Sequence, residues 1–283
     1  MEFQNINALP IDIKEAIRTR KSVRSYEAKS LSEADKQDLM DFYATTQNPF
    51  GVKVNVQYIS KENSADNIQL GTYGTIKGAK DFLAITVKDE PYAMVASGYQ
   101  FEELVLYATS KGLGTVWLAA TFSRKDFEKA MHIEKDDLFP CISPVGYPTD
   151  KKSILERITR VSLGSTQRKA WEKIFFEKDF NHPMTQDLTY QEELESFRLA
   201  PSSTNGQPWA VVKDGNTFHF FNDYKNSLGE DVIKIKNLDL GIGLCHFHQT
   251  ALANHKSGKF VSENINFEVP ENMHYIISYQ FEN

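Results

Sequence analysis

Asp38-Leu39-Met40-Asp41-Phe42 and Glu193-Leu194-Glu195-Ser196-Phe197 carry one pattern twice: an acidic residue, a leucine, and a phenylalanine three positions after the leucine. Leu39 with Phe42, and Leu194 with Phe197, fall on one face of a helix. The continuations also match. Asn48-Pro49-Phe50 precedes a strand-like run, and Gln207-Pro208-Trp209 precedes another, after a longer loop in the second copy. Further on, a helical pattern surrounds Gly98 in the first stretch and Gly241 in the second. The chain therefore reads either as two diverged copies of one helix–turn–strand unit or as units that resemble each other by chance.

Working outward, Ile13, Ala16 and Ile17 predict a helix over 11–20 capped by Asp12, and Ser32 opens a helix over 32–45 with Leu39, Phe42 and Tyr43 on its apolar face. Val52 to Tyr58 alternates and predicts a strand with one buried face, whereas Phe82-Leu83-Ala84-Ile85-Thr86-Val87 is nearly all apolar and predicts a central strand. A long helix is expected from Tyr92 to Lys111, stopped by Gly112 and Gly114. Val116 to Ala119 reads as a strand, Ser123 to Met131 as a helix, and Ile142 to Tyr147 as a strand ended by Pro148. Residues 149–188 are charged with no clear strand. Arg168 to Phe176 is a helix candidate there, and Asn181-His182-Pro183 breaks it. Beyond it, strands are expected at Trp209–Val212, Phe218–Phe221 and His274–Phe281, with a helix over Leu238–Asn254. The division that follows is 1–150, a connector 151–188, and a shorter second half 189–283.

With about 150 residues per domain, 283 residues make one or two domains. Apolar residues at 41% and charged residues at 25% are ordinary for a packed globular chain. The net charge of −6 argues against a broad nucleic-acid-binding surface and leaves room for a local basic pocket. Two cysteines, Cys141 and Cys245, make no disulfide framework and suit a reducing cytoplasm. No apolar run approaches the roughly 20 residues of a membrane span, and Met1 to Asn5 lacks a signal-peptide layout. A soluble cytoplasmic protein acting on a small molecule is the expectation, with neither nucleic acid nor membrane as partner.

Three segments carry chemistry. Arg18-Thr19-Arg20-Lys21-Ser22-Val23-Arg24 can surround an anion, since guanidinium forks a phosphate and a hydroxyl donates to it; it can equally be a solvated basic end of a helix beside the helix's negative pole. Ala200-Pro201-Ser202-Ser203-Thr204-Asn205-Gly206-Gln207-Pro208-Trp209 makes a stiff loop able to read the edge of a planar heterocycle, or an ordinary turn. Lys111-Gly112-Leu113-Gly114-Thr115-Val116-Trp117 is no dinucleotide fingerprint, because Trp117 stands where a third glycine is needed; Gly241-Ile242-Gly243 fails similarly. Gly71, Gly74 and Gly78 lack the Gly-Lys-Ser/Thr ending of a P-loop. His246 and His248, two apart on a helix, diverge and cannot share a metal, so no metal site is expected; Cys245 and Cys141 read as core residues.

In combination these segments resemble the FMN-dependent nitroreductase family, in the branch that fuses two nitroreductase-like halves into one chain. The likeness runs in order through Arg-x-Arg-Lys-Ser-Val-Arg, the Gly74–Val87 stretch, the Gly98 helix, Gly-Leu-Gly-Thr-x-Trp, Pro-Val-Gly-Tyr-Pro, Arg168-Lys169 and Ala-Pro-Ser-Ser-Thr-Asn-Gly-Gln-Pro-Trp. It implies an α+β fold of mixed or antiparallel sheets flanked by helices, whose two diverged halves form a pseudo-dimer within a monomer. Family members place FMN at a dimer interface, one subunit giving the arginine segment and the other the Pro-Ser-Ser-x-Asn loop. Here the first occurs only in the first half and the intact second only in the second half, Thr45-Thr46-Gln47-Asn48-Pro49-Phe50 being shorter and without the serine pair. One FMN site is the implication.

By the same resemblance Arg20, Lys21 and Ser22, joined by Arg168 or Lys169, hold the phosphate and ribityl end, and Arg24 lies near the flavin N1/C2 oxygen edge, where reduction places negative charge. Pro201, Ser202, Ser203 and Asn205 approach from the other half. Leu118, Ala119 and Ala120 fall where the family brings a backbone amide to N5, although Trp-Leu-Ala stands here for the usual Trp-x-Gly. The implied activity passes reducing equivalents from NADH or NADPH through FMN to a nitroaromatic, quinone or similar acceptor, with no catalytic side chain required. The alternative is a flavin-binding carrier or sensor without efficient turnover.

Overall fold

A computed structural model describes residues 3–61, 70–149 and 167–282. Asp12 caps helix α1 (Ile13–Thr19) by accepting from the Glu15 amide, and Ser32 caps α2 (Glu33–Thr45) by accepting from the Asp35 amide. Strands β1 (Val54–Ser60) and β2 (Asp81–Lys88) pair antiparallel, Val54 opposite Val87 and Ser60 opposite Asp81. β2 is buried along almost its whole length, which is why its apolar run is unbroken. Helix α3 (Ala93–Ser110), the two-residue strand β3 (Gly114–Thr115), helix α4 (Arg124–Ala130), β4 (Asp137–Leu138) and β5 (Ile142–Gly146) follow. The sheet order is β1-β2-β5-β3, with β4 also pairing to β2.

The second half repeats this plan. After β6 (Phe175–Glu177) come helix α5 (Gln191–Leu199), β7 (Trp209–Asp214), β8 (Thr217–Asp223), helix α6 (Glu230–Ala253), β9 (Gly258–Val261) and β10 (Met273–Phe281). Its sheet order is β6-β7-β8-β10-β9. Without β4 and β6, the two paths are the same: an antiparallel hairpin, then a long helix, then two strands of which the later lies inside the earlier. The repeated leucine and phenylalanine are buried in both copies, Leu39 and Phe42 on α2, Leu194 and Phe197 on α5. The architecture is α+β in two like halves, as the sequence leads one to expect.

Four details differ from these expectations. Arg168 to Phe176 is not a helix: Trp171–Lys173 makes one 3₁₀ turn, and Phe175–Glu177 becomes β6, parallel to β7, because burying Ile174 and Phe175 beside Val211 outweighs local propensity. The expected strand at Val116–Ala119 reduces to Gly114–Thr115 plus an isolated bridge between Leu118 and Ile142. Helix α6 begins at Glu230, more than two turns before Leu238. Ser123 stands at the N-cap of α4, but its hydroxyl makes no capping bond. Residues 150–166 of the expected connector lie outside the described residues.

The halves meet where α3 packs on α6. A β-carbon on Gly98 would lie 2.0 Å from the Leu238 carbonyl oxygen, and one on Gly241 would lie 2.1 Å from that of Val95. Each glycine thus faces the residue three positions before the other, the reciprocal contact of a two-fold axis. The obstacle on both sides is backbone, which cannot swing aside as a side chain can. Gly241→Ala is therefore expected to destabilise the protein by about 1–3 kcal/mol or more through overpacking, read as a fall in the urea-denaturation midpoint; an unmoved midpoint would show that the crossing has slack.

Candidate functional site

A cleft of about 890 Å³ opens between the halves. Its first wall begins at Arg20, the C-cap of α1, from which the chain leaves extended alongside β3, the Val23 amide donating to the Thr115 carbonyl at 2.8 Å. Extended backbone alternates its side chains. Arg20, Ser22 and Arg24 accordingly line the cleft, Val23 is buried on the opposite side, and Lys21 is exposed outside the lining.

Arg20 is buried, and its Nε meets no hydrogen-bond partner. Glu102 Oε1 lies 3.9 Å away. Burial lowers the Arg20 pKa and the charge of Glu102 opposes that shift. Glu102, fully buried on α3, also accepts from Trp117 Nε1 at 2.7 Å and meets His246 Nε2 at 2.9 Å, while His246 Nδ1 faces the Ser196 carbonyl at 3.0 Å. Because a carbonyl only accepts, Nδ1 carries a proton. One carboxylate so links the cationic wall of the first half to a helix of the second.

Arg168 brings a second guanidinium to the cleft. It donates to Asn205 Oδ1 at 3.2 Å and to the Leu199 carbonyl at 3.0 Å. Burial lowers its pKa first, and the positive charge of Arg20 lowers it further. Two guanidiniums that repel each other, that of Arg20 buried with an unpartnered N–H and that of Arg168 half-buried, fit a dianionic group such as a phosphate monoester.

The opposite wall is the loop after α5. Pro201, Ser202, Ser203 and Asn205 line the cleft. Thr204, Asn205 and Gln207 have φ of 51°, 56° and 46°, left-handed values that are costly for a β-branched residue such as threonine. The loop is held by bonds at both ends: the Gln207 amide donates to Ser202 Oγ at 2.8 Å, and the Ser203 amide donates to both Asp239 carboxylate oxygens at 3.0 Å. Lys169 serves the same end, donating through Nζ to the Gln207 carbonyl at 2.9 Å, and lies outside the cleft lining. Leu118, Ala119 and Ala120 line the floor. The Leu118 amide is taken by the Ile142 carbonyl at 2.9 Å.

The structure thus gathers eleven of the thirteen expected residues at one cleft and leaves Lys21 and Lys169 outside its lining. Sequence reading missed Glu102, His246 and Asp239. The available signal was a charged or imidazole side chain inside helices otherwise apolar enough to be buried, such as Asp239 between Leu238 and Leu240. His246 and His248 do diverge: His248 Nδ1 bonds Tyr99 Oη at 2.7 Å, and burial pushes its pKa down to about 3. No group of His, Cys, Asp and Glu able to hold a metal occurs among the described residues. No helix among them is long and apolar enough to cross a membrane.

A family model described as "Putative TM nitroreductase" matches residues 12–251. The fold superposes on a crystal structure from Thermotoga maritima described as a "putative nitroreductase", with TM-score 0.57 and 19% identity, covering 98% of this chain and 96% of that one. Shorter chains align to about half of this one. A nitroreductase with bound FMN from Bacteroides fragilis has 15% identity and TM-score 0.39, covering 50% of this chain and 91% of its own. A nitroreductase family protein from Clostridium novyi has 19% identity and TM-score 0.41, covering 52% and 91%. No curated protein matches the chain.

Asp239 offers a direct test of the electrostatics on the loop side. Burial raises its pKa to about 8, against 3.8 ordinarily. The folded state then holds a proton that the unfolded chain releases, so this contribution is present below about pH 4 and is lost as pH rises toward 8. In urea titrations at stepped pH, the stability of wild type minus that of Asp239→Asn should fall between pH 5 and 8 by up to about 1.4 kcal/mol per unit and be flat above. A flat difference throughout would mean that Asp239 is ionised in the fold.

Proposed function

The chain belongs to the nitroreductase family, its match running through residues 12–251, and on that premise we propose that the cleft binds one FMN and uses NADH or NADPH to reduce nitroaromatic, quinone or similar acceptors. The observation that carries this reading is the buried Arg20 guanidinium, one N–H unpartnered, converging with Arg168 across from the Ser202–Asn205 loop. Neither half of the chain supplies both walls, so one chain suffices for one site and a monomer can act.

When bound, FMN supplies hydride transfer chemistry. The chain's own residues do the rest. Arg20, Arg168 and Ser22 hold the phosphate end. Glu102 fixes Arg20 and keeps that cation from being left without a counter-charge in a dry site. Arg24 brings positive charge to the ring edge that gains electrons. Pro201, Ser202, Ser203 and Asn205 close over the ring from the second half, and Lys169 steadies their loop from outside. With the Leu118 amide spent on Ile142, Ala119 and Ala120 are the backbone donors left for N5. The apolar surface of Met94, Leu118, Ile235 and Ile242 gives an acceptor a face to stack on. Lys21 is exposed and adds at most diffuse positive charge near the phosphate.

Purified protein mixed with FMN should retain one yellow chromophore per chain after gel filtration. Arg20→Ala should weaken FMN binding by roughly 1.5–3 kcal/mol, the loss of a charge-assisted hydrogen bond, measured by quenching of flavin fluorescence; unchanged affinity would remove Arg20 from the site. Anaerobic mixing with NADH or NADPH should bleach the flavin absorbance within a turnover. A bound flavin that stays oxidised with both would make the protein a carrier or sensor instead.

A further inference from the structure

The loop after α2 is the counterpart of the loop after α5, and it too borders a cavity, of about 270 Å³. Its rim is Asn7, Ala8, Pro10, Thr45 and Gln47, all exposed; its floor is Phe42 and Glu103. Glu103 stands five residues beyond Gly98, as His246 stands five beyond Gly241, so the pseudo-two-fold relates this carboxyl to the imidazole beneath the cationic cleft. The charge is inverted. No basic residue lines this cavity among the described residues.

Glu103 is 1% exposed, and only one of its oxygens is satisfied. Oε1 accepts from Gln249 Nε2 at 2.8 Å, and Gln249 Oε1 in turn accepts from the Leu9 amide at 3.0 Å, which ties the segment over the cavity to α6. Oε2 meets no hydrogen-bond partner. A buried carboxyl oxygen without a donor is costly, and the partner that offsets the cost most is a cation bearing N–H groups. A divalent metal would need several more oxygen ligands than this floor provides. An anion would meet no basic residue in this cavity among the described residues.

We propose that this cavity is a binding site for a small organic cation, a primary ammonium carrying a compact apolar group, whose N–H donates to Glu103 Oε2 while Phe42, Leu9 and Ile6 enclose the apolar part. The volume equals that of roughly nine waters in the liquid, which admits a group of about that many heavy atoms and excludes a flavin. Burial also raises the Glu103 pKa well above the carboxylate range, so pairing with an ammonium is coupled to release of the Glu103 proton to solvent. The site makes no use of the flavin cleft.

The test is calorimetric titration of the purified protein with benzylammonium chloride, with benzyl alcohol and benzoate as neutral and anionic probes of the same shape. Benzylammonium should bind once per chain, and Glu103→Gln should weaken it by about tenfold or more, the scale of one charge-assisted bond. Thr45→Trp, at the exposed rim, should abolish binding while leaving the thermal midpoint of the free protein in place. Arg20→Ala should leave it unchanged. Benzyl alcohol binding as well as benzylammonium, full affinity in Glu103→Gln, or no saturable heat from benzylammonium would each overturn the proposal. If Glu103→Gln fails to fold, the comparison of the three probes and Thr45→Trp still decide it.

Discussion

The close crossing of α3 and α6 is the constraint from which the rest follows. Glycine at 98 and 241 brings one helix backbone against the other, and at that distance side chains to either side reach across. Tyr99 bonds His248, Glu102 bonds His246 and Glu103 bonds Gln249. Each pair is buried between apolar neighbours, where an unmade hydrogen bond costs about 1–3 kcal/mol. A slip of one helix along the other would break all three at once. The crossing therefore fixes the relative position of the two sheets, and with it the width of the cleft between them.

That cleft carries several features that cost the free protein stability. Arg20 holds a guanidinium in a dry site with one N–H unpartnered, Arg168 adds a like charge beside it, and Thr204, Asn205 and Gln207 bend the facing loop into left-handed backbone. None of these features favours folding. Glu102 limits the first cost, and Asp239 with Lys169 limits the last by anchoring the loop at Ser203 and Gln207. Their shared geometry has a rationale if the missing partner is an anion seated between the two walls.

How far the sequence could foresee this depends on the range of the forces concerned. The strands and helices with strong periodicity were legible, including the fully apolar β2 and the repeated Leu–Phe helices, because burial imposes a period that survives in the residues. The arginine segment and the Ser202–Asn205 loop, each alone readable as a solvated helix end or an ordinary turn, pointed to chemistry only through their combined resemblance to one family. Alternation along extended backbone separates Arg20, Ser22 and Arg24 from Lys21, and that became visible only once the segment was seen to run along β3. β6 was misread as helix because its strand conformation comes from Val211 and its neighbours, far along the chain. Glu102, Asp239 and Glu103 were hidden for the same reason: a carboxylate inside an apolar helix announces a partner, but not which one.

Joining the halves in one chain removes a restriction that a symmetric dimer cannot escape. In an isologous dimer every substitution appears on both sides of the axis, so an arginine added to one site is added to the other. Here the counterparts have diverged separately. Around the pseudo-two-fold, the place opposite the Arg20–Glu102–His246 cluster holds Glu103 with a free oxygen and, among the described residues, no basic neighbour in its cavity wall, and the segment Ile6–Pro10 borders a space of about 270 Å³ against about 890 Å³ on the other side. The same backbone plan thus presents a cationic cleft and a carboxyl-floored cavity at once, and the buried polar pairs of the α3–α6 crossing are the physical connection between them.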